Sequence, residues 1–292
     1  MRMAIAAITG ITGLAGGQVA HALQASGHKV IGISRRLSSN VLKADILTVP
    51  DLTDVDALTL AFQKCDIIFH FADRADRKSY SEEDVGAAAE VLNAIRIAAT
   101  RNGIRRIVAF SSIYADDVSR SNDRYGRSKR AMEAVAMAST PGEPALIFRL
   151  PPLYGPGARG AVRYITRAIE KGWPLPFALA RTSRRFLSLN ALADLCVHLI
   201  RLDDDTFKRA EARIFVPVAV QDGSLAALSR AIGGDQVRLL PVPGIDQILG
   251  GCVAPGQLER DRDALSQAIG WLAPDSRNFD SLQLHGIASA AS

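Results

Sequence analysis

The strongest constraint on this chain is the alternation that runs through its first half. Short apolar stretches at residues 4–9, 29–34, 46–49, 67–71, 106–111 and 145–150 read as strands. Between them lie segments at 16–26, 55–64, 84–102 and 125–139 whose apolar residues recur at helical spacing. Strands laid down in this rhythm pair in parallel through right-handed helical crossovers. Turn signals fall where units must end, at Ser26-Gly27, Asn102-Gly103 and Pro141-Gly142. The expectation is an α/β fold, a doubly wound parallel sheet of the Rossmann type.

After Pro156-Gly157 the rhythm changes. A helix is expected over 161–171, then a proline-rich turn at Trp173-Pro-Leu-Pro176 and a basic segment at 181–185. A second helix is expected over 192–202 and a strand over 213–218. Residues 222–271 read as two or three helices with a short strand at 237–240, and the small-residue tail carries no firm pattern. There is no internal repeat. The expected organisation is a dinucleotide-type domain over 1–155, to which 186–220 return. A smaller, mostly helical C-terminal lobe is expected from 156–185 and 221–292, with a small-molecule substrate between the two.

Composition narrows the function classes. The 292 residues are 48% hydrophobic and 22% charged, an ordinary globular balance. Apolar runs are too short to span a bilayer, and Met3–Ile8 is too short for a signal core, so a cytoplasmic protein without a membrane partner is expected. Cys65, Cys196 and Cys252 share no short spacing, and the five histidines show no ligand spacing, so no metal is expected. The net charge of +5 suits an anionic cofactor and substrate. No dense basic run appears, which argues against nucleic acid.

Thr9-Gly10-Ile-Thr-Gly13-Leu-Ala-Gly16 follows the first strand and opens a helix. Gly10 permits the sharp turn, Gly13 the approach of backbone to a pyrophosphate, and Gly16 close helix–strand packing. The helix N-terminus presents unpaired N–H groups to the phosphates, with Thr12, Leu14 and Ala15 along the same loop. An ordinary glycine turn would look similar in isolation; the place between strand and helix decides for a dinucleotide.

The end of the second strand, where an acid would bond the ribose 2′-hydroxyl, carries Ser34-Arg35-Arg36 instead. A guanidinium bonds a 2′-phosphate bidentately, so NADP(H) is preferred over NAD(H). The plainer alternative is two solvated surface arginines. Asp51-Leu52 follows the third strand, where a carboxylate can meet the adenine amine.

Tyr125-Gly-Arg-Ser-Lys129 puts a phenol and an ammonium at i and i+4, on one helical face. A phenol ordinarily titrates near 10 and needs a neighbouring positive charge to exchange a proton near neutrality. Lys129 can supply part of that while holding the nicotinamide ribose. Ser111-Ser112 ends the fifth strand, the edge at which open α/β sheets place their sites. A serine hydroxyl there can bond the reacting substrate oxygen. Each feature has a bland reading, a snorkelling surface lysine and a hydrogen-bonded strand end.

These residues together resemble the extended short-chain dehydrogenase/reductases, in particular the NAD-dependent epimerase/dehydratase family acting on nucleotide sugars. The likeness rests on Thr9-Gly10-x2-Gly13-x2-Gly16, Asp51-Leu52, Asp66-Ile-Ile-Phe-His70-Phe-Ala72, Phe110-Ser-Ser112 and Tyr125-x3-Lys129. It continues through Arg149-Leu-Pro151-Pro-Leu-Tyr154-Gly-Pro156, Arg184-Arg185-Phe-Leu-Ser-Leu-Asn-Ala-Leu-Ala-Asp194 and Ile269-Gly270-Trp271. The resemblance implies a Ser112, Tyr125, Lys129 catalytic set, with Ser111 the second choice for the serine. It implies that Phe71, Ala72 and Ser111 lie along the dinucleotide and Pro151 and Leu153 near the nicotinamide. Arg184 would meet the substrate's diphosphate, and Arg185 and Ser112 are the other expected substrate contacts, Ser112 at the reacting end. Relatives often dimerise through the helices at 84–102 and 125–139, which makes a homodimer an expectation.

Three departures stand out. Ser112 and Tyr125 are thirteen residues apart, closer than usual. Asp73 replaces a small residue after His70-Phe-Ala72. No second phosphate-binding arginine is evident in the short C-terminal lobe. The readings that remain are an epimerase, dehydratase or reductase of a nucleoside-diphosphate sugar, an NADP-dependent reductase of another carbonyl compound, and a non-catalytic dinucleotide sensor.

Overall fold

In the computed structural model, the described residues are 3–36, 45–73, 80–116, 123–138, 144–218, 223–249 and 253–272. Seven strands form one sheet: β1 (Ile5–Thr9), β2 (Lys29–Ser34), β3 (Asp45–Thr48), β4 (Ile67–His70), β5 (Ile107–Ser112), β6 (Leu146–Leu150) and, after a further two-stranded unit, β9 (Ile214–Phe215). Their order across the sheet is β3-β2-β1-β4-β5-β6-β9, and every pairing is parallel. The strand expected at 213–218 is therefore real but short. The two-stranded unit pairs β7 (Leu153–Tyr154) with β8 (Leu187–Ser188).

Alternation along the strands explains the two layers. Ala6, Ile8, Ile67, Phe69, Val108, Phe110, Leu146 and Phe148 face one side, where they pack with α1 (Leu14–Ala25), α6 (Leu189–Arg201) and the later α10 (Gln257–Ile269). Ala7, Ile68, Ile107, Ala109 and Ile147 face the other side. There they meet α2 (Val55–Ala61), α3 (Asp84–Arg101) and α4 (Arg124–Met137). A strand with both faces covered must be apolar at successive positions, which is why β4 reads Ile-Ile-Phe-His and is buried throughout. Each buried aliphatic or aromatic side chain contributes roughly 1.5–3 kcal/mol.

Beyond the sheet, α5 (Gly160–Glu170) and α8 (Leu225–Gly233) build a separate core with Tyr154, Phe177, Phe186 and Ile245. Between them α7 (Asp204–Ala210) leads into β9, and α9 (Ile245–Leu249) precedes α10. Residues 237–240 do not form the expected strand; a single bridge joins Leu239 to Leu175. The tail beyond 272 and Cys252 lie outside the described residues. Among those residues no helix is long and apolar enough to cross a membrane, and no group of three or more His, Cys, Asp or Glu could hold a metal.

Candidate active site

The sheet order reverses between β1 and β4, and the crevice this creates opens at their C-terminal ends. Gly10 turns the chain there with φ of +75°, and a β-carbon on it would stand 2.7 Å from the Ala72 nitrogen. A β-carbon on Gly16 would meet the Gly10 oxygen at 2.4 Å. No bulkier residue fits either place. Gly13 caps α1 in an extended conformation with no side-chain bond, and the first turn holds no acid. The helix thus offers its first N–H groups to an anion. This cradle fits the pyrophosphate of a dinucleotide, and Thr12, Leu14 and Ala15 belong to it by position.

At the switch point the Thr9 hydroxyl and the His70 Nδ1 lie 2.7 Å apart. Burial, reinforced by the Lys129 charge and opposed by Asp73, lowers the His70 imidazole to about 4. It is neutral at physiological pH. The Phe71 ring stacks on Phe110 at 3.9 Å, and the Ala72 N–H reaches the Thr9 hydroxyl at 3.4 Å.

Tyr125 and Lys129 fall one turn apart at the start of α4. Gly126 lets this turn press on residues 113–115: a β-carbon there would stand 2.6 Å from the Tyr114 oxygen. Tyr114 and Tyr80 both meet the Tyr125 ring edge-on, with centroids 6.0 and 5.2 Å away. The Lys129 ammonium sits 5.8 Å from the Tyr125 ring centroid and donates to the Phe110 carbonyl at 3.2 Å. It also pairs with Asp73 at 2.6 Å. Burial pulls this ammonium down, but Asp73, Tyr125 and Glu133 together raise its pKa above the ordinary lysine value.

The two serines diverge. Ser111 donates to the Glu133 carboxylate at 2.5 Å, and Glu133 holds Arg149 in a two-pronged pair at 2.8 and 2.9 Å. Ser112 accepts the Tyr114 N–H at 3.4 Å and caps the short 3₁₀ turn Ile113–Ala115. Ser111 is thus committed to an acid, whereas among the described residues Ser112 accepts a long backbone bond.

A family model described as the NAD dependent epimerase/dehydratase family matches residues 6–210. The chain belongs to that family. It is an NAD-dependent enzyme of the extended short-chain dehydrogenase/reductase type. A UDP-glucose 4-epimerase from Vibrio cholerae is 25% identical, over 92% of this chain and 90% of that one. The Bordetella bronchiseptica enzyme WbmG, solved with NAD and UDP, shares the fold with a TM-score of 0.67 at 19% identity. That match covers 94% of this chain and 91% of that one. The UDP-N-acetylglucosamine 4-epimerase from Bacillus cereus shares it with a TM-score of 0.61 at 17% identity, over 84% and 92%.

In this epimerase/dehydratase-family enzyme the remaining predicted residues take different places. Arg35 and Arg36 are exposed at the end of β2, and Ser34 is buried with its hydroxyl accepting the Arg36 N–H at 3.4 Å. Asp51 accepts from the Thr53 N–H and hydroxyl at 2.8 and 2.7 Å, bonds that hold its carboxyl below the usual range. Leu52 beside it is buried. Pro151 and Leu153 follow β6 at the same edge of the sheet. Arg184 donates to the Thr182 hydroxyl at 2.8 Å. Arg185 forks onto Asp261 at 2.6 and 3.2 Å, a pair 76 residues apart in sequence. Both arginines of this expected substrate-binding pair thus have partners within the chain, Arg184 on Thr182 and Arg185 on Asp261.

Tyr80, Glu133 and Arg149 carry no role expected from the sequence, and Asp73 stands there only as a departure from the family pattern. Glu133 had a signal, since it continues the i, i+4 row of Tyr125 and Lys129. Tyr80 had none.

Proposed function

We propose that this enzyme oxidises or reduces a carbon of a nucleoside-diphosphate sugar, as an epimerase, dehydratase or reductase. The observation that carries the reading is the pairing of Tyr125 and Lys129 one turn apart on α4, with the Lys129 ammonium 5.8 Å from the Tyr125 ring centroid and bonded to the Phe110 carbonyl on β5. The relatives named for UDP-sugar epimerisation support the substrate class. The nicotinamide, when bound, supplies hydride chemistry. The Tyr125 hydroxyl exchanges the proton of the substrate oxygen, and Ser112 bonds that same oxygen. Lys129 bonds the ribose and favours the phenolate. Arg184 pairs with the diphosphate, in the cleft bounded by the lobe we assign to 156–185 and the residues after 221.

Arg35 and Arg36, with no acid at residues 34–36, support NADP(H) as the preferred form and NAD(H) as the second. The test is turnover of a nucleotide-sugar panel with both dinucleotides, with Tyr125→Phe alongside. Tyr125→Phe should keep the fold and dinucleotide binding while turnover drops about 10²–10⁴-fold. Near-normal turnover by Tyr125→Phe would remove it as the proton-exchanging group. Turnover confined to uncharged ketones would favour the carbonyl-reductase reading.

A further inference from the structure

Among the described residues, Asp73 is the acidic side chain that pairs directly with Lys129. It follows β4 by three residues, and its Oδ2 meets the Lys129 Nζ at 2.6 Å. Its other oxygen accepts the hydroxyl of Tyr80, which is 5% exposed and whose ring lies edge-on to Tyr125. The side chains of Lys129 and Asp73 are 5% and 18% exposed, so solvent screens their attraction little.

An ammonium has three protons. One goes to Asp73 and one to the Phe110 carbonyl, which leaves a single proton for a ribose or for Tyr125. Geometry therefore fixes where Lys129 points. Charge acts in the same place: a carboxylate this close to the ammonium cancels part of the field that Lys129 exerts on the phenol.

The other groups around Tyr125 do not replace this effect. Glu82 is paired with Arg124 and Arg127 at 3.1 and 2.7 Å. Glu133 and Asp116 are both paired with Arg149. His70 is neutral, Arg130 donates to the Ala115 carbonyl, and Asp123 stands at the N-cap of α4. Tyr114 and Tyr80 present ring edges.

We infer that Asp73, braced by Tyr80, is a positioning residue that aims the Lys129 ammonium and tempers the positive charge it presents to Tyr125. The inference rests on the proposed role of Tyr125 as the proton-exchanging group. Its direct test needs neither substrate nor dinucleotide, so it fails separately from the substrate assignment.

The experiment follows phenolate absorbance across pH in the full-length chain, with Tyr125→Phe subtracted to isolate the Tyr125 signal. Asp73→Asn keeps the shape and one acceptor but deletes the charge. The Tyr125 signal should then appear about one pH unit lower than in the unsubstituted protein. Tyr80→Phe, which frees Asp73 from its brace and keeps the ring, should move the signal by less. In the active enzyme the limb of the turnover profile that reports Tyr125, acid where it takes a proton and alkaline where it gives one, should follow the same shifts. An unmoved Tyr125 signal in folded Asp73→Asn overturns the inference. Should that variant not fold, an unmoved signal and profile in Tyr80→Phe overturns it equally.

Discussion

At the scale of single residues, His70 shows how a site group affects stability. Its imidazole titrates at about 4 in the fold, against roughly 6.5 in an unfolded chain. Between these values the unfolded chain binds the extra proton, so stability rises with pH through this window and is lost as pH falls. The two-and-a-half-unit gap corresponds to about 3 kcal/mol. Urea midpoints measured from pH 7 down to pH 4 should therefore fall more steeply for the natural protein than for His70→Asn. Equal slopes would mean that His70 does not drive the acid sensitivity. The site was unevenly legible at this scale. The approach of Lys129 to Tyr125 was legible because their spacing is a property of one helix. The Arg185–Asp261 pair was not legible, because Asp261 lies on α10 and no local pattern reports a contact over that span.

At the scale of elements, α3 and α4 are fastened by a residue hidden from sequence reading. Arg96 of α3 is fully buried and donates to the Val135 carbonyl at 2.6 Å and to the Ala138 carbonyl. It thereby satisfies the end of α4, whose last carbonyls have no partners within the helix. Arg96→Ala removes both charged bonds, each contributing about 1.5–3 kcal/mol, so a loss of at least 3 kcal/mol is expected in chemical unfolding. Amide exchange should quicken first in the final turn of α4; unchanged protection there would contradict the capping role. Long elements were legible because their apolar periodicity extends over several turns. The two-residue strands β7 and β8 were not, since two residues carry no period. The helix expected at 192–202 begins at Leu189 because the Ser188 hydroxyl caps it through the Ala191 N–H at 3.0 Å. The missed α7 is likewise capped by Asp203, a signal present in Asp203-Asp-Asp-Thr206.

At the scale of the molecule, a chain of charges runs from the sheet to the last helix. Ser111 of β5 bonds Glu133 of α4, which holds Arg149 of β6; Arg149 reaches Asp116 at 2.7 Å. Asp116 approaches Arg185 at 3.8 Å, and Arg185 grips Asp261 of α10. The Glu133 side chain is 4% exposed, so it cannot stand charged without its partner. Arg149→Met should therefore cost about 3–5 kcal/mol in urea unfolding. Adding Glu133→Gln should restore much of it, because the double variant buries no lone charge. A double variant no more stable than Arg149→Met alone would show that the arginine acts by packing.

The position of β9 has a consequence for synthesis. Ile214 and Phe215 pair with Ile147 and Phe148, and so close the β6 edge only after the chain has passed through 64 further residues from Leu150. Leu265, Ile269 and Trp271 complete the core on the face of α1 and α6 later still. A nascent chain on the ribosome that has not yet released Ile214 presents the β6 backbone unpaired, an open edge onto which another strand can add. One that has released β9 but not α10 still shows an uncovered apolar face. The order of translation thus leaves β9 and α10 to close an edge and a face that the preceding elements have already built.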